Sequence, residues 1–262
     1  MSAQVQLGGE WLPQGKKYYA LISGGKDSMS MAHWMGERNL LRGVVFIDTG
    51  IRLGSVIDFV ETLPHGVEIH RTPVSYDSLV TQYWGAFPGR PLHGQCFNYL
   101  KGRAIREFKK AHRGEDYFFA SGVRKAESPT RRRNVTGISK LEGITTYAPL
   151  VHWGNQDVWS YVRRKEIEIS PAYLTLGFSG ECLCGSHASK DEFSTIRKVD
   201  KEIGERLTRL ADITKSQWGN EQNNPDLNDI LSAPILCQGD CRLEESPTAK
   251  ADTEALFRRE TK

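Results

Sequence analysis

The strongest constraint on the fold is an apolar run that stops at a glycine pair and restarts as a helix. Tyr18-Tyr19-Ala20-Leu21-Ile22 is followed by Ser23-Gly24-Gly25-Lys26-Asp27-Ser28, and a helix is expected over Met29 to Arg38. A strand, a glycine turn and a helix start in direct succession build a cradle for phosphate oxygens. Adjacent glycines let the backbone approach such oxygens and turn its N–H groups towards them. The helix N-terminus adds partial positive charge and Lys26 a full one, while Ser23 and Ser28 supply hydroxyl donors. The plain alternative is a Gly-Gly turn capped by Asp27 or Ser28. The loop is not a Walker A motif, in which Ser or Thr follows the lysine directly; here Asp27 separates Lys26 from Ser28.

Downstream, short apolar strands alternate with helical patterns. Gly43 to Gly50 reads as a strand ending in the polar turn Asp48-Thr49-Gly50, with further strands at Val67 to His70, Tyr117 to Ser121 and Ile144 to Leu150. Helices are expected over Ser55 to Leu63, Ser78 to Trp84, Lys101 to Ala111, and from Asn155 or Asp157 to about Lys165. This alternation predicts an α/β fold, a parallel sheet with helices on both faces. Gly85 to Gly94 reads as a loop, and Glu127 to Arg133 as a basic, mobile one. From Pro171 the strand signal stops, and glycine-rich cysteine loops surround a charged helix over about Asp191 to Lys215. The expected organisation is a nucleotide-binding domain over residues 1–170 and a small cysteine-containing helical element over 171–262.

Two bulk properties narrow the setting. A net charge of +3 over 262 residues is too mild to name a polyanionic partner by itself. No apolar stretch approaches a membrane span, and Met1 to Lys17 lacks the apolar core of a secretory signal. No membrane contact and a cytoplasmic location are therefore expected. Five cysteines are an odd number for a disulfide framework. Four of them form two close pairs, Cys182 with Cys184 and Cys237 with Cys241, among Gly, Ser and charged residues, with Cys96 alone upstream. Such clustering in loops points to metal.

In open α/β sheets, ligands bind beyond the carboxyl ends of the strands. Three loops leave strand ends carrying polar residues: Ser23 to Ser28, Asp48-Thr49-Gly50, and Gly122-Val123-Arg124. On neighbouring strands they would meet over one nucleotide. Asp48 would then accept from a ribose hydroxyl or hold a magnesium-bound water, and Arg124 would clamp phosphate or an acidic substrate group. Trp153 and Trp159 are expected to be packing residues rather than nucleobase stackers.

The order SGGKDS resembles the PP-loop of ATP pyrophosphatases, which cleave ATP between the α and β phosphates. Phe46 to Gly50, Gly122 to Arg131, and Pro149 to Trp153 continuing through Asp157 to Val162 resemble the phosphoadenylyl-sulfate (PAPS) reductase family in order and spacing. The resemblance covers about residues 18 to 195. The resemblance implies an adenine nucleotide α-hydrolase-like fold with ATP and Mg²⁺ as ligands. Ser23, Gly24, Gly25, Lys26, Asp27 and Ser28 would then line the phosphate site, with Asp48, Thr49 and Gly122 beside the nucleoside. Lys26, Asp27, Arg124 and Arg131 would carry the chemistry, the two arginines facing the sulfate or γ-phosphate end.

One departure bears on the reaction. Sulfonucleotide reductases resemble one another in a C-terminal Glu-Cys-Gly-Leu/Ile-His segment, whereas here the closest string is Glu181-Cys182-Leu183-Cys184-Gly185-Ser186-His187. Gln95 to Lys101, with paired cysteines downstream, looks more like the DNA phosphorothioation ATP-pyrophosphatase group, whose members carry an iron–sulfur cluster. That resemblance implies a [4Fe–4S] cluster, with tetrahedral zinc as the alternative. Its ligands would be Cys96, Cys237, Cys241 and Cys184 ahead of Cys182, with His187 as a further candidate. The favoured expectation is an enzyme that adenylates an acceptor, releases pyrophosphate and admits sulfur. DNA would be one acceptor, with Lys125 and Arg131 to Arg133 contacting its phosphates, and a cysteine desulfurase one sulfur donor. The alternatives are a PAPS or adenylyl-sulfate reductase, and a non-catalytic nucleotide-responsive iron–sulfur subunit of a DNA-modification complex. Homodimers, common among relatives of this fold, are also implied.

Overall fold

In the computed structural model, residues 6–7, 10–13, 15–64, 66–188 and 190–219 are described. A small antiparallel pair, β1 (Gln6–Leu7) and β2 (Glu10–Trp11), precedes the main sheet. That sheet comprises β3 (Tyr18–Ile22), β4 (Leu41–Asp48), β5 (Glu68–Arg71), β6 (Phe118–Ser121), β7 (Ile138–Leu141) and β8 (Ile144–Tyr147), in the spatial order β5-β4-β3-β6-β8-β7. All neighbours are parallel except β7, which runs antiparallel to β8 on the edge. The hairpin between β7 and β8 turns at Glu142 and Gly143, both at positive φ (48° and 80°), as a two-residue turn compatible with the strand twist requires. β7 was not expected from sequence: Ile138-Ser139-Lys140-Leu141 carries too little apolar alternation to announce a strand.

The helices are α1 (Lys26–Gly36), α2 (Gly54–Glu61), α3 (Tyr76–Ser78), α4 (His93–Phe97), α5 (Arg103–Ala111), α6 (Pro129–Asn134), α7 (Asn155–Lys165), α8 (Pro171–Leu176), α9 (Lys190–Val199) and α10 (Lys201–Thr214). Strand alternation sorts the core onto the two sheet faces. Tyr18, Ala20, Ile22, Phe46 and Ala120 join α1 and α2 in the larger apolar cluster. Tyr19, Val45, Ile47 and Phe119 meet Ala104, Ile105 and Phe108 of α5 in the smaller one. The expected α/β architecture is therefore present, with a six-stranded, mostly parallel sheet and apolar clusters on both faces.

Two expectations are corrected. The basic stretch 127–133 is not a plain loop: after a short 3₁₀ turn (Lys125–Glu127), Ser128 accepts from the Arg131 N–H at 3.1 Å, caps α6, and Pro129 occupies its first turn. The charged segment from Asp191 to Lys215 is two helices, broken at Asp200. The Asp200 carboxylate caps α10 through the Ile203 N–H at 3.1 Å and also accepts from Gly54 N at 2.8 Å, tying α10 to the start of α2. Ile196, Ile203, Leu207, Leu210 and Trp218 share the larger cluster with Leu53 and Val56.

At the end of β4 the Asp48 side chain is fully buried. It accepts from Gly50 N at 2.8 Å, Arg52 Nε at 3.1 Å and Arg71 Nε at 2.8 Å, which together fix the turn after β4 to the end of β5. Burial alone would raise its carboxyl, but the Gly50 N–H and the two guanidiniums outweigh burial and hold it below the ordinary value of 3.8. Asp48→Ala should cost about 3 kcal/mol, because it leaves the mostly buried Arg52 without its carboxylate while the solvent-exposed Arg71 rehydrates. A carboxylate depressed in the folded state contributes fully above its unfolded value, and that contribution is lost as pH falls through the folded one. Urea unfolding followed from pH 7 downward should therefore show a loss of wild-type stability below about pH 4 that is shallower in Asp48→Asn.

Candidate active site

The chain runs outward from β3 through β4 to β5, then returns to the other side of β3 with β6. The order reverses between β3 and β6, and the crevice outside their carboxyl ends is where such folds take ligands. A cavity of about 900 Å³ lies there. Ser23, Gly25, Lys26, Asp27 and Ser28 line it from the β3 loop, and Gly122, Arg124 and Arg131 from the β6 side.

The β3 loop is pre-shaped. Gly24 sits at φ +77°, the left-handed region that favours glycine, and Gly25 becomes the N-cap of α1. The Ser28 hydroxyl donates to Gly25 O at 3.1 Å and accepts from Ser23 N at 3.0 Å, closing the turn from within. The Asp27 carboxylate joins the two sides of the crevice. It accepts from Lys26 Nζ at 2.8 Å and from Arg124 Nε at 2.8 Å. Arg124, only 1% exposed, also donates to Trp153 O at 2.9 Å, and its own backbone N–H donates to Glu127 at 2.6 Å. Glu127 pairs in turn with Arg131. The cavity wall thus carries the cations Lys26, Lys101, Arg124 and Arg131 against the carboxylates Asp27, Glu127 and Glu181. Together with the α1 N-terminus, this suits a polyanionic ligand.

Of the nucleotide residues expected from sequence, Gly24, Asp48 and Thr49 stand behind the cavity wall rather than on it. Gly24 O accepts from Ser170 N at 2.9 Å, so this glycine docks the start of α8. Asp48 spends its oxygens on Gly50, Arg52 and Arg71, and the buried Thr49 hydroxyl donates to the carbonyls of Ile51 and Glu181. Conversely, Lys101, Trp159, Tyr173, Phe178 and Glu181 line the cavity without having been singled out for it. Trp159 stands on this wall rather than in the core, 6.4 Å from the Tyr173 ring, and Lys26 lies 5.8 Å from that same ring. Their signal was faint because three of the five follow Pro171, where no strand periodicity marks their place.

A second cavity, of about 480 Å³, shares Phe97, Lys101, Arg131 and Phe178 with the first. Its wall holds Cys96, Cys182 and Cys184 together with His93 and His187, whose rings lie 4.3 Å apart. Cys184 interacts with the thiols on either side of it, although the three sulfurs do not all fall within 4.8 Å of one another. Cys184 and then burial push the Cys182 thiol well up. Cys182 pulls Cys184 down, but Cys96 and burial outweigh it and push Cys184 up to about 11. Burial, then His187 and Lys101, lower His93 to about 4. Lys101 bridges the two cavities and donates to Glu181 at 2.8 Å. Burial would lower its ammonium, but Glu181 and the thiols hold it above its ordinary value. Of the expected cysteine ligands, Cys96, Cys182 and Cys184 line one cavity without forming a three-sulfur cluster, and Cys237 and Cys241 lie outside the described residues.

The fold and this crevice define a nucleotide-binding α/β domain with its phosphate loop at the topological switch point. The phosphoadenosine phosphosulfate reductase domain family matches residues 17–179, and the chain belongs to that family. It is 24% identical over 155 residues to adenosine 5′-phosphosulfate reductase 2 of Bacillus subtilis, covering 57% of this chain and 64% of that protein. It is 26% identical over 135 residues to the adenosine 5′-phosphosulfate reductase of Anoxybacillus flavithermus, covering 50% and 56%. The chain thus spans less than two thirds of the length of these relatives. Among solved structures, the PAPS reductase of Candida auris in its phosphate complex aligns over 63% of this chain and 80% of its own, at 17% identity and a TM-score of 0.45. Among the described residues, no helix is long and apolar enough to cross a membrane.

Gly122 tests the geometry of the crevice. A Cβ there would stand 2.6 Å from Ser28 N and 2.7 Å from the Asp27 carbonyl carbon, both rigid backbone atoms. Gly122→Ala should cost about 1–3 kcal/mol by overpacking and, by pushing the loop off its position, weaken AMP binding by at least ~10-fold. Gly94→Ala, where a Cβ meets nothing within 4 Å, should leave binding unchanged in the same calorimetric titration.

Proposed function

We propose that this chain is an enzyme that seats an adenine nucleotide over β3 and β6 and presents its reactive end to the neighbouring thiols. The observation that carries this reading is the shared wall: Phe97, Lys101, Arg131 and Phe178 face both the phosphate loop's cavity and the cavity of Cys96, Cys182 and Cys184. The reaction class that fits is sulfonucleotide reduction, which is also the activity named for the relatives in Bacillus and Anoxybacillus. The adenylyl sulfate phosphate would rest on the Gly25 and Lys26 backbone and on the Lys26 ammonium. Arg131 and Lys101 would meet the sulfate. A protein thiolate attacks the sulfate sulfur and the S–O bond to phosphate breaks. AMP then leaves with the electron pair, and the protein keeps an S-sulfonate. A second thiol attacks the protein sulfur, releasing sulfite and leaving a disulfide for an external dithiol to reduce. Cys182, the more exposed of the pair, suits the first role, and Cys184 stands beside it for the second.

A second reading is ATP pyrophosphatase chemistry. Its specific support is the loop order Ser23 to Ser28 together with the exposed Arg132 and Arg133, which follow Arg131 at the mouth of the nucleotide cavity. Here an acceptor oxygen, such as one on a DNA backbone, would attack the α-phosphorus of ATP and pyrophosphate would leave. The outer sulfur of a persulfide from a cysteine desulfurase would then displace AMP, and a further thiol would cleave the S–S bond, leaving sulfur on the acceptor and a disulfide. Under the first reading Cys182 and Cys184 react and are not ligands; under the second, the soft donors Cys96, Cys182 and Cys184, with a fourth ligand from His93, His187 or the later cysteines, suit an iron–sulfur cluster or zinc. When bound, that group would hold the thiols deprotonated despite their burial.

One assay separates the two. Protein purified without oxygen is incubated with ³⁵S-labelled adenylyl sulfate or PAPS plus a dithiol, and in parallel with γ-³²P-ATP. Sulfite release with ATP untouched is expected. Pyrophosphate from ATP with no sulfite would replace the first reading by the second. Lys26→Ala should lower whichever turnover is found by about 10²-fold, and undiminished turnover would remove Lys26 from the phosphate site.

A further inference from the structure

We propose that Glu68, His70 and His112 form a binding site for one divalent transition-metal ion of zinc's type, on the α5 face of the sheet at its edge strand β5. None of the three lines the nucleotide cavity or the thiol cavity. Glu68 and His70 stand two apart on β5, so both project to the same face. His112 closes the C-terminal end of α5, which packs on that face.

The three candidate ligand atoms lie within 4.8 Å of one another, the only such group of His, Cys, Asp and Glu among the described residues. Glu68 Oε2 is the point of convergence, 2.8 Å from His112 Nε2 and 3.4 Å from His70 Nε2. Around a tetrahedral zinc with bonds of about 2.0–2.2 Å, neighbouring ligand atoms stand roughly 3.3 Å apart. The His70 pair already has that spacing, and the His112 pair reaches it by opening about half an ångström.

The surroundings hold the ligands as metal sites hold theirs. His112 Nδ1 lies 3.1 Å from Glu115 Oε1 and 3.1 Å from the Tyr19 hydroxyl, which fixes the ring and leaves Nε2 aimed at Glu68. Arg42 anchors both supports, through Glu115 at 2.7 Å and Tyr19 at 3.0 Å. Phe108 forms the floor, stacked on His112 at 4.2 Å and edge-on to His70 at 5.1 Å. The His112 and His70 side chains are 13% and 16% exposed, while Glu68 is 41% exposed and gives the ion its way in. Two imidazoles and one carboxylate select a borderline cation over magnesium or calcium, which take oxygen ligands. A cation there would take the place of the direct His112–Glu68 contact and would staple β5 to the end of α5.

Cobalt(II) provides the test because it distinguishes this site from the cysteines by colour. The metal-stripped full-length chain is titrated with Co²⁺. One equivalent should bind with visible ligand-field bands but without the near-ultraviolet charge transfer that thiolate ligation brings. Glu68→Gln and His70→Gln, which keep the side-chain volumes, should each weaken that equivalent by at least ~10-fold, and Glu115→Gln, which removes only the outer support, by about 10-fold. Cobalt bound at the cysteines should be unchanged in all three. Far-ultraviolet circular dichroism and the metal-free melting temperature check that each variant stays folded. Wild-type cobalt spectra carrying thiolate bands only would overturn the assignment without recourse to any variant. So would unchanged stoichiometry and affinity in folded Glu68→Gln and His70→Gln.

Discussion

The crevice depends on one close approach, that of the β6 loop to the β3 loop at the reversal of strand order. Gly122 lies so near the Asp27–Ser28 backbone that no side chain fits between them. Asp27 then binds across the gap to Arg124, whose guanidinium is buried against Trp153 O. A buried arginine is tolerable only when its donors are met; here Asp27 and a carbonyl meet them. The consequence is geometric: the phosphate loop cannot shift without exposing Arg124, so its N–H groups are held in place before any ligand arrives.

Much of this was legible in the sequence because it is written locally. The strand–glycine–helix succession from Tyr18 to Gly36, the parallel strands and the pairing of the 23–28 and 122–124 loops follow from periodicity and from a general rule about strand ends. What escaped depends on partners distant in the chain. Asp48 looked like a ligand residue because it ends a strand in a polar turn, yet two arginines and a backbone N–H occupy its oxygens. Thr49 turned inward to carbonyls that include Glu181, 132 residues away. Lys101 and Glu181 form an ion pair across 80 residues that no spacing rule announces. The single charged helix expected from Asp191 to Lys215 became two because Asp200 found Gly54 N as well as its own cap.

The electrostatics of the two joined cavities differ in kind. The larger cavity suits an anion: its wall carries Lys26, Lys101, Arg124 and Arg131 against Asp27, Glu127 and Glu181. The thiol cavity disfavours charge: burial and mutual proximity push Cys182 and Cys184 up, and burial pushes His93 down. Lys101 stands on both walls, and its ammonium lowers the cost of a thiolate at Cys182. An anionic ligand reaching this boundary would compete with Glu181 for the same ammonium, and its binding would thereby be coupled to thiol ionisation through one side chain.

The Glu68, His70 and His112 cluster lies apart from this boundary, on neither cavity wall, and the sheet and α5 tie the two mechanically. β5, which carries Glu68 and His70, is hydrogen-bonded to β4, and β4 to β3, whose end is the phosphate loop. α5 reaches both regions: Ile105 faces the nucleotide cavity, while Phe108 underlies His112 just beyond the helix end. The helical residues that precede it, from α4 through the π-helical stretch Asn98–Gly102, also carry Cys96 and Lys101. One nearly continuous helical run therefore positions a thiol, the bridging ammonium and His112. A staple at His112 would restrain the far end of the element that holds Lys101 on both cavity walls. Fixing one end of a helix limits its rotation and slide at the other, so the cluster's contribution to the active site would be rigidity rather than contact.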